Sequence, residues 1–335
     1  MKKAYFCTAE ELEQRGKDNL PKQFQSGEHL IYSSPATLAF NSPGAEGFGV
    51  KRAGLAVPGS IMLIVAPGCC GRNTSMISSM KEYNNRFFYL CMDETDIVTG
   101  RHLKKIPKAV ASICESLEKK PSVVMICITC VDALLGTDME RVCRKAEERA
   151  GLPVRPCYMY ALTREGRKPP MVHVRQSLHS LLEPAKKKGN VVNLLGFFSP
   201  LVDDCELYDI LHSAGIKTIH EISRCRNFDE YKTMSEANFN LVLHQEARAA
   251  AEDFHERLKI PFIELRRLYQ TDKIENQYQA FGSVLGVTFD TTEYRKAAEQ
   301  AVENFRKVCP DASFAVGECM NGDPFELALA LLKYG

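Results

Sequence analysis

The chain has 335 residues, of which 45% are hydrophobic and 25% are charged, a composition typical of a soluble globular protein with two or three α/β units. Lysine and arginine total 43 against 42 acidic residues, so the net charge of +1 gives no reason to expect nucleic acid or an anionic membrane as a partner. No apolar run has membrane-spanning length and no signal peptide opens the sequence, which predicts a cytoplasmic protein without a membrane partner.

Residues 1–40 predict an N-terminal arm that contains one polar helix, at 8–19. Residues 41–184 predict a first α/β domain, because short apolar runs alternate with helical patterns. The predicted strands are 60–66, 87–92, 122–129 and 154–159, and the predicted helices are 72–83, 101–119, 138–150 and 171–182. This alternation predicts a parallel sheet.

A lysine run at 186–188 follows Pro184 and is interpreted as a solvated linker. Residues 189–310 then repeat the pattern as a second α/β domain. Its predicted strands are 191–195, 217–222, 241–244 and 262–265, and its predicted helices are 205–214, 228–237, 247–258 and a pair within 273–308.

Residues 311–335 predict a strand exit at 314–317 and a helix at 324–334, which either begin a third unit or return to an earlier sheet. The predicted fold class is therefore α/β, with two Rossmann-like doubly wound parallel sheets and an incomplete third unit as an alternative at the end of the chain.

Thirteen cysteines are the most informative residues. Cytosolic thiols stay reduced, so these cysteines are core residues, metal ligands or redox groups rather than a disulfide framework. Cys114, Cys143 and Cys205 fall in helical patterns and Cys157 falls in a strand, which predicts packing roles. Cys69, Cys70 and Cys130 instead follow apolar strands at turns, and ligands of open α/β sheets bind at the carboxyl ends of the strands. These three are the candidate site residues.

Nucleotide binding by this chain is not expected. Gly196 follows a predicted strand, but no Gly-x-Gly-x-x-Gly accompanies it, and the sequence has no Gly-x-x-x-x-Gly-Lys-Ser/Thr phosphate loop. The histidines at 173, 179, 212, 220 and 244 have ordinary surface or core interpretations, so no catalytic residue is assigned.

Three ordered motifs resemble the nitrogenase component 1 type oxidoreductases. Pro67-Gly68-Cys69-Cys70 is similar to that family's Pro-x-Gly-Cys, residues 93–100 resemble its acidic turn, and residues 129–138 resemble its Thr-Cys segment. The second unit is also similar, and the resemblance covers about residues 35–290. It implies that Cys70 and Cys130 bind an iron–sulfur cluster.

The chain departs from this family at residues 41–45, where an earlier cysteine is usual and none is present. A cluster that needs four ligands must find the others elsewhere. A symmetric dimer could supply two cysteines from each chain. The alternatives are Cys69, Cys127 or Cys7 as a substitute, or a non-thiolate ligand. Cys91, near a third strand exit, could also approach Cys70 or could be buried in the core.

The resemblance implies an oxidoreductase component that carries a [4Fe–4S] cluster, as a homodimer or as a heterodimer with a related subunit. A partner iron protein, a P-loop ATPase, would supply electrons for the reduction of a small-molecule substrate. Two alternatives remain open from the residues alone. One is a non-catalytic scaffold on which an iron–sulfur cofactor is assembled, and the other is a cluster-free α/β interaction module.

Overall fold

The computed structural model describes residues 7–19, 49–68, 78–129, 131, 135–158, 170–316 and 323–335. The chain forms two compact units. The larger unit contains the described parts of Thr37–Val202 together with Ile216–Leu265, and the smaller contains the described parts of Met1–Ala36 together with Asp203–Gly215 and Arg266–Gly335.

The helices of the described residues are named in chain order. They are α1 (Ala9–Arg15), α2 (Val50–Ala53), α3 (Glu94–Thr99), α4 (Arg101–Ser116), α5 (Met139–Ala150), α6 (Pro170–His179), α7 (Glu206–Ser213), α8 (Phe228–Lys232), α9 (Arg248–Leu258), α10 (Thr271–Leu285), α11 (Thr292–Val308) and α12 (Pro324–Lys333). Most of them lie within a few residues of the predicted helices. The first half of the predicted helix 72–83 lies outside the described residues, and the described second half contains a short 3₁₀ helix, Lys81–Tyr83.

The larger unit contains a first sheet of four parallel strands, as the alternating pattern predicts. The strands are β1 (Ile61–Ala66), β2 (Phe87–Cys91), β3 (Val124–Ile128) and β4 (Val154–Tyr158), in the order β2-β1-β3-β4. All residues of β1 and β3 are buried. Their sequences are continuous apolar runs because both faces of a parallel sheet are covered.

The two faces of β1 contribute to two different core clusters. Ile61, Leu63 and Val65 pack in one cluster with residues of α4 and α5. Met62, Ile64 and Ala66 belong to the other cluster, which continues into the second sheet. The larger unit is therefore held together by one continuous apolar core on this side of the first sheet.

A second sheet in the same unit contains β5 (Lys188–Leu195), β6 (Thr218–Glu221), β7 (Ala237–Val242) and β8 (Phe262–Glu264). Its strands are also parallel, in the order β6-β5-β7-β8. The fold class predicted from the sequence is confirmed by these two sheets.

The lysine run that was predicted to be a solvated linker leads directly into β5. β5 begins at Lys188, within the run, and both neighbouring lysines are anchored. The Lys187 ammonium donates a hydrogen bond of 2.6 Å to the Ser235 carbonyl, and Lys188 pairs with Glu236. The segment before Lys188 is mostly exposed and has no regular secondary structure, as expected of a solvated linker, but both lysines also have a specific acceptor beside β7, which sequence spacing does not reveal.

Helix α6 packs on β4 of the first sheet and on α9 of the second. The last backbone carbonyls of α6 accept hydrogen bonds from side chains of α8 and α9. The Tyr231 hydroxyl donates to the Leu178 carbonyl at 2.7 Å, and the Arg257 guanidinium donates to the His179 carbonyl at 3.0 Å. The helix thereby links the two sheets, and its end is capped by side chains rather than by solvent.

The smaller unit is helical in its described parts. Lys273 of α10 forms an ion pair of 2.9 Å with Glu326 of α12. The predicted strand at 314–317 was wrong for residues 314–316, which are not in a strand because they pair with none of the described strands; Gly317 lies outside the described residues. No helix in the described part of the chain is both long enough and apolar enough to cross a membrane.

Candidate functional site

The first sheet has a topological switch point between β1 and β3. The chain leaves β1 to form β2 on one side and then returns to form β3 on the other side. Val65 of β1 is paired with Ile128 of β3, so the two strands end at the same level. In open α/β sheets, ligands bind in the crevice outside the carboxyl ends of the strands at such a point.

Cys69, Cys70 and Cys130 all lie outside the described residues, so their placement stays a prediction. The residues before them are described. Gly68 is exposed two residues after the end of β1, and Thr129 directly follows β3. The sequence therefore brings cysteines to the chain immediately after the two strands that flank the switch point.

Thr129 is the described residue nearest to Cys130 on its amino-terminal side. Its side chain is 2% exposed. The Oγ1 atom has no hydrogen-bond partner in the part of the chain that the structure describes. A buried polar atom is therefore available at the edge of the sheet where the cysteines are predicted.

Asp93 and Asp96, two carboxylates that follow β2, already have hydrogen-bond partners. The Asp93 carboxylate caps α3 by accepting a hydrogen bond of 2.7 Å from the Asp96 amide. Asp96 is buried, and its carboxylate accepts from Lys105 Nζ at 2.6 Å and from Arg101 Nε at 3.1 Å. The hydrogen bond from Lys105 lowers the pKa of Asp96, so this carboxylate stays ionised. The acidic turn is thus a capped helix start.

The described cysteines differ in how they could serve as ligands. Cys91 is exposed at the end of β2 and is paired with Ala66 of β1, which excludes the alternative of a buried core position. Cys127 is fully buried in β3, directly opposite the equally buried Cys157, and therefore lies within the sheet rather than at its edge. Cys7 belongs to the smaller unit.

The cysteines assigned to packing are mostly confirmed in that role. Cys143 and Cys157 are buried, and burial raises the pKa of the Cys143 thiol, which keeps it protonated. Cys114 is half-buried with a pKa raised by burial. Cys205 is not inside a helix: it occupies the position before α7, where it is partly exposed.

The residue types that the sequence predicts at the first switch point suit a thiolate-bound group. Within the described ranges, no three histidine, cysteine or acidic side chains are grouped so that they could hold a metal ion. Asp93 and Asp96, which follow β2, are engaged in the α3 cap and its ion pairs. The sequence predicts cysteines at this edge beside the unpartnered Thr129 hydroxyl, and thiolates are the usual ligands of iron–sulfur clusters.

The second sheet has an equivalent switch point between β5 and β7, and here the chain fills the crevice itself. Arg175 of α6 is 5% exposed. Its guanidinium donates to the Gly196 carbonyl at 2.6 and 3.2 Å and pairs with the Glu246 carboxylate at 2.8 Å. It also lies 4.6 Å from the centre of the Phe198 ring.

Glycine is needed at position 196 because the chain packs closely there, and not because a phosphate has to be accommodated. Its φ is +143°, and a Cβ atom there would lie 2.8 Å from the His244 amide nitrogen. Sequence reasoning missed Arg175. The available signal was its position among Met171, Val174 and Leu178, which places a charged residue on the apolar face of the helix.

The histidines remain without a catalytic assignment. His179 is 5% exposed, and burial lowers its pKa to about 4. Burial also lowers the pKa of His220. His244 Nδ1 accepts a hydrogen bond of 3.3 Å from the Glu246 amide, as part of the filled second crevice.

The chain is similar to proteins of nitrogenase cofactor synthesis. It is 27% identical over 236 residues to the nitrogenase iron-molybdenum cofactor biosynthesis protein NifE of Nostoc sp., covering 67% of this chain and 48% of that protein. NifE of Rhizobium meliloti is 28% identical over 210 residues, which cover 60% of this chain and 44% of the relative. The chain spans about half the length of these curated relatives.

A solved structure, described as nitrogenase Cp1 at pH 6.5, has the same fold with a TM-score of 0.56. The match covers 78% of this chain and 61% of that chain at 16% identity. A sequence profile described as nitrogenase component 1 type oxidoreductase matches residues 46–317, which is most of the chain. The chain belongs to the nitrogenase component 1 type oxidoreductase family.

Proposed function

We propose that this chain binds an iron–sulfur cluster through Cys70 and Cys130 and serves as a scaffold in the assembly of a metal–sulfur cofactor. The observation that carries the proposal is the first switch point. β1 and β3 are adjacent and end at the same level, and the motifs that resemble the family's cluster-ligand motifs follow these two strands.

Cys70 and Cys130 supply two ligands from one chain, with Cys69 beside them. A dimer with a two-fold axis at this edge would bring the same two residues from a second chain and complete a [4Fe–4S] cluster. A heterodimer with a related subunit would complete the cluster in the same way. Bound there, the cluster would supply one-electron chemistry at a protein interface, and the chain's own part is to hold it and to exclude water.

The scaffold role is supported by the curated relatives, whose names describe iron-molybdenum cofactor biosynthesis. A second function, reduction of a small-molecule substrate with electrons from an ATP-dependent iron protein, is supported by the oxidoreductase family to which the chain belongs. Both functions need the same cluster site. They differ in whether a substrate is turned over.

Iron and acid-labile sulfide analysis of anaerobically reconstituted protein tests the cluster. We expect equal amounts of iron and sulfide, about one [4Fe–4S] cluster for every two chains, and loss of most of the iron in Cys70→Ala and in Cys130→Ala. Cys114→Ala is the matched control and should retain its iron, because Cys114 lies on α4. Full iron in both site variants would disprove the ligand assignment.

The two roles are separated by adding a nitrogenase-type iron protein, ATP and reductant to the loaded protein. A scaffold should release its cluster to an acceptor protein without reducing a substrate. A reductase should oxidise the iron protein in many cycles, with one or more electrons passed for each ATP-dependent encounter. Sustained electron consumption that Cys130→Ala abolishes would replace the scaffold proposal with the reductase.

A further inference from the structure

Strand β2 forms one outer edge of the first sheet, with β1 beside it on the inner side. At the two ends of β2, the Arg86 carbonyl accepts a hydrogen bond of 2.8 Å from β1 and the Met92 amide donates one of 3.1 Å to β1. In a parallel pair, alternate residues bond to the same neighbour, so the residues between these positions point their backbone groups alternately inward and outward. The outward residues are Phe87, Tyr89 and Cys91. No described residue forms a hydrogen bond with their backbone groups.

The other outer edges of the two described sheets are protected against a further strand. In β4, the Glu147 carboxylate accepts a hydrogen bond of 3.3 Å from the Val154 amide. Arg155 donates to the Val154 carbonyl at 2.9 Å, and Pro156 has no amide proton. Strands β6 and β8 have only four and three residues. By contrast, β2 has five residues without a charge or a proline, and its Tyr89 is 45% exposed. It therefore lacks the usual defences of an edge strand.

A second copy of β2, running antiparallel to the first, satisfies the outward groups in a single register. With Tyr89 opposite its own counterpart on a two-fold axis, Phe87 lies opposite the counterpart of Cys91. All of these residues point outward, so each opposed pair exchanges two backbone hydrogen bonds. No like charges meet, because β2 carries none, and the two exposed Tyr89 rings form a favourable cross-strand pair. The symmetry of an isologous contact thus supplies the matching register.

We propose that two copies of this chain associate through β2, by antiparallel pairing about a two-fold axis at Tyr89, so that their first sheets form one continuous sheet. Because β1 separates β2 from β3, the outer side of β2 is a different surface from the strand-end site proposed for the cluster. The inference therefore does not rest on the proposed function.

Sedimentation velocity of the cluster-free full chain, measured over a range of concentrations, tests the association. We expect a concentration-dependent dimer and its loss in Tyr89→Lys, because two like charges then oppose each other directly on the axis. The backbone bonds between β2 and β1 do not involve Tyr89, so the sheet itself is retained. Val98→Lys is the matched control and should keep the dimer: Val98 is 86% exposed on α3, so the variant adds the same charge away from the edge.

Complementary charges distinguish a lost contact from a variant that fails to fold. Tyr89→Glu alone should be monomeric, and an equimolar mixture with Tyr89→Lys should form the dimer again, because opposite charges meet on the axis. A dimer that persists in Tyr89→Lys, or one that Val98→Lys also abolishes, would overturn the inference. An unchanged chain that stays monomeric at every concentration would overturn it as well, and would leave the edge to an extended segment of another protein.

Residue-resolved amide hydrogen exchange tests the register. Phe88 and Leu90 donate to β1, so their amides should exchange slowly at every concentration. The Tyr89 amide donates only across the proposed axis, so its exchange should slow as the dimer forms. Equally fast exchange of the Tyr89 amide in the monomer and in the dimer would contradict the pairing of β2 with its counterpart.

Discussion

The two sheets of the larger unit have the same strand order, yet their switch points differ in what occupies them. In the second sheet, the Arg175 guanidinium binds the Gly196 carbonyl after β5 and the Glu246 carboxylate after β7. In the first sheet, the chain after β1 and β3 carries cysteines, and the described part of that edge leaves the Thr129 hydroxyl unpaired.

Sheet topology provides a crevice but does not decide what occupies it. An arginine that reaches across the crevice satisfies the polar groups at the strand ends and takes the space of a ligand. At the first switch point, the described residues leave the buried Thr129 hydroxyl unpaired. By this criterion the first switch point is the candidate binding site, and the second is a structural junction.

The strongest test of the second junction is Arg175→Ala. This change leaves the mostly buried Glu246 carboxylate without its cation and the Gly196 carbonyl without its donor. Removing one partner of a buried ion pair costs about 3–5 kcal/mol of unfolding free energy. Urea denaturation at neutral pH measures the loss.

The matched control is Arg155→Ala, which breaks another Arg–Glu pair of the same unit. Arg155 and Glu147 are 26% and 39% exposed, so water can replace the lost contact and the cost should stay below about 1 kcal/mol. Similar costs for the two variants would show that Arg175 does not complete the second crevice, and the comparison between the two sheets would fail.

A smaller effect is expected from His179 at the end of α6, the helix that both sheets contact. Its folded pKa of about 4 lies below the ordinary value of 6.5, because burial disfavours the charged ring. Below pH 6.5 the unfolded chain binds a proton that the folded chain does not bind. Stability is therefore lost as the pH falls from 6.5 to 4, by about 3 kcal/mol in total.

His179→Leu should flatten this part of the pH profile in urea denaturation measured between pH 4 and 7. His255→Asn is the control: His255 is exposed on α9, so the variant should keep the acid loss of the unchanged protein. An acid loss of equal size in His179→Leu would contradict the assignment to His179.

The sequence predicted β1 and β3 closely because their apolar runs are continuous. The cysteines that it predicts at the first switch point lie outside the described residues, so their placement stays a prediction. The sequence pattern placed the start of β7 too late. Asn240 is completely buried in that strand, where its side chain accepts a hydrogen bond of 2.7 Å from Asn193 of β5. Asparagine is rare in strands, and only the neighbouring strand supplies the partner that makes it tolerable there.

Arg175 and Thr129 escaped prediction for a related reason. A charged residue is ordinarily expected to face solvent. A threonine at the end of a strand is common and does not by itself indicate a particular role. What makes each informative is its surroundings: Arg175 meets acceptors from two distant segments, whereas Thr129 meets none among the described residues. Neither environment can be predicted from sequence spacing, because each depends on contacts that form only in the folded sheets.

The smallest effect is expected from Tyr231→Phe, which removes one hydrogen bond at the end of α6. The Tyr231 side chain is fully buried, and its hydroxyl donates to the Leu178 carbonyl in the last turn of α6. Removing the hydroxyl should lower the free energy of unfolding by about 1 kcal/mol, because a buried carbonyl loses a donor and water does not replace it.

Tyr294→Phe is the control, since Tyr294 is 43% exposed and its hydroxyl donates to Asp209 at 3.0 Å at the surface. Urea denaturation should show a cost of only a few tenths of a kcal/mol for the control. If both variants lost equally little, the Tyr231 hydroxyl would not contribute to holding the end of α6.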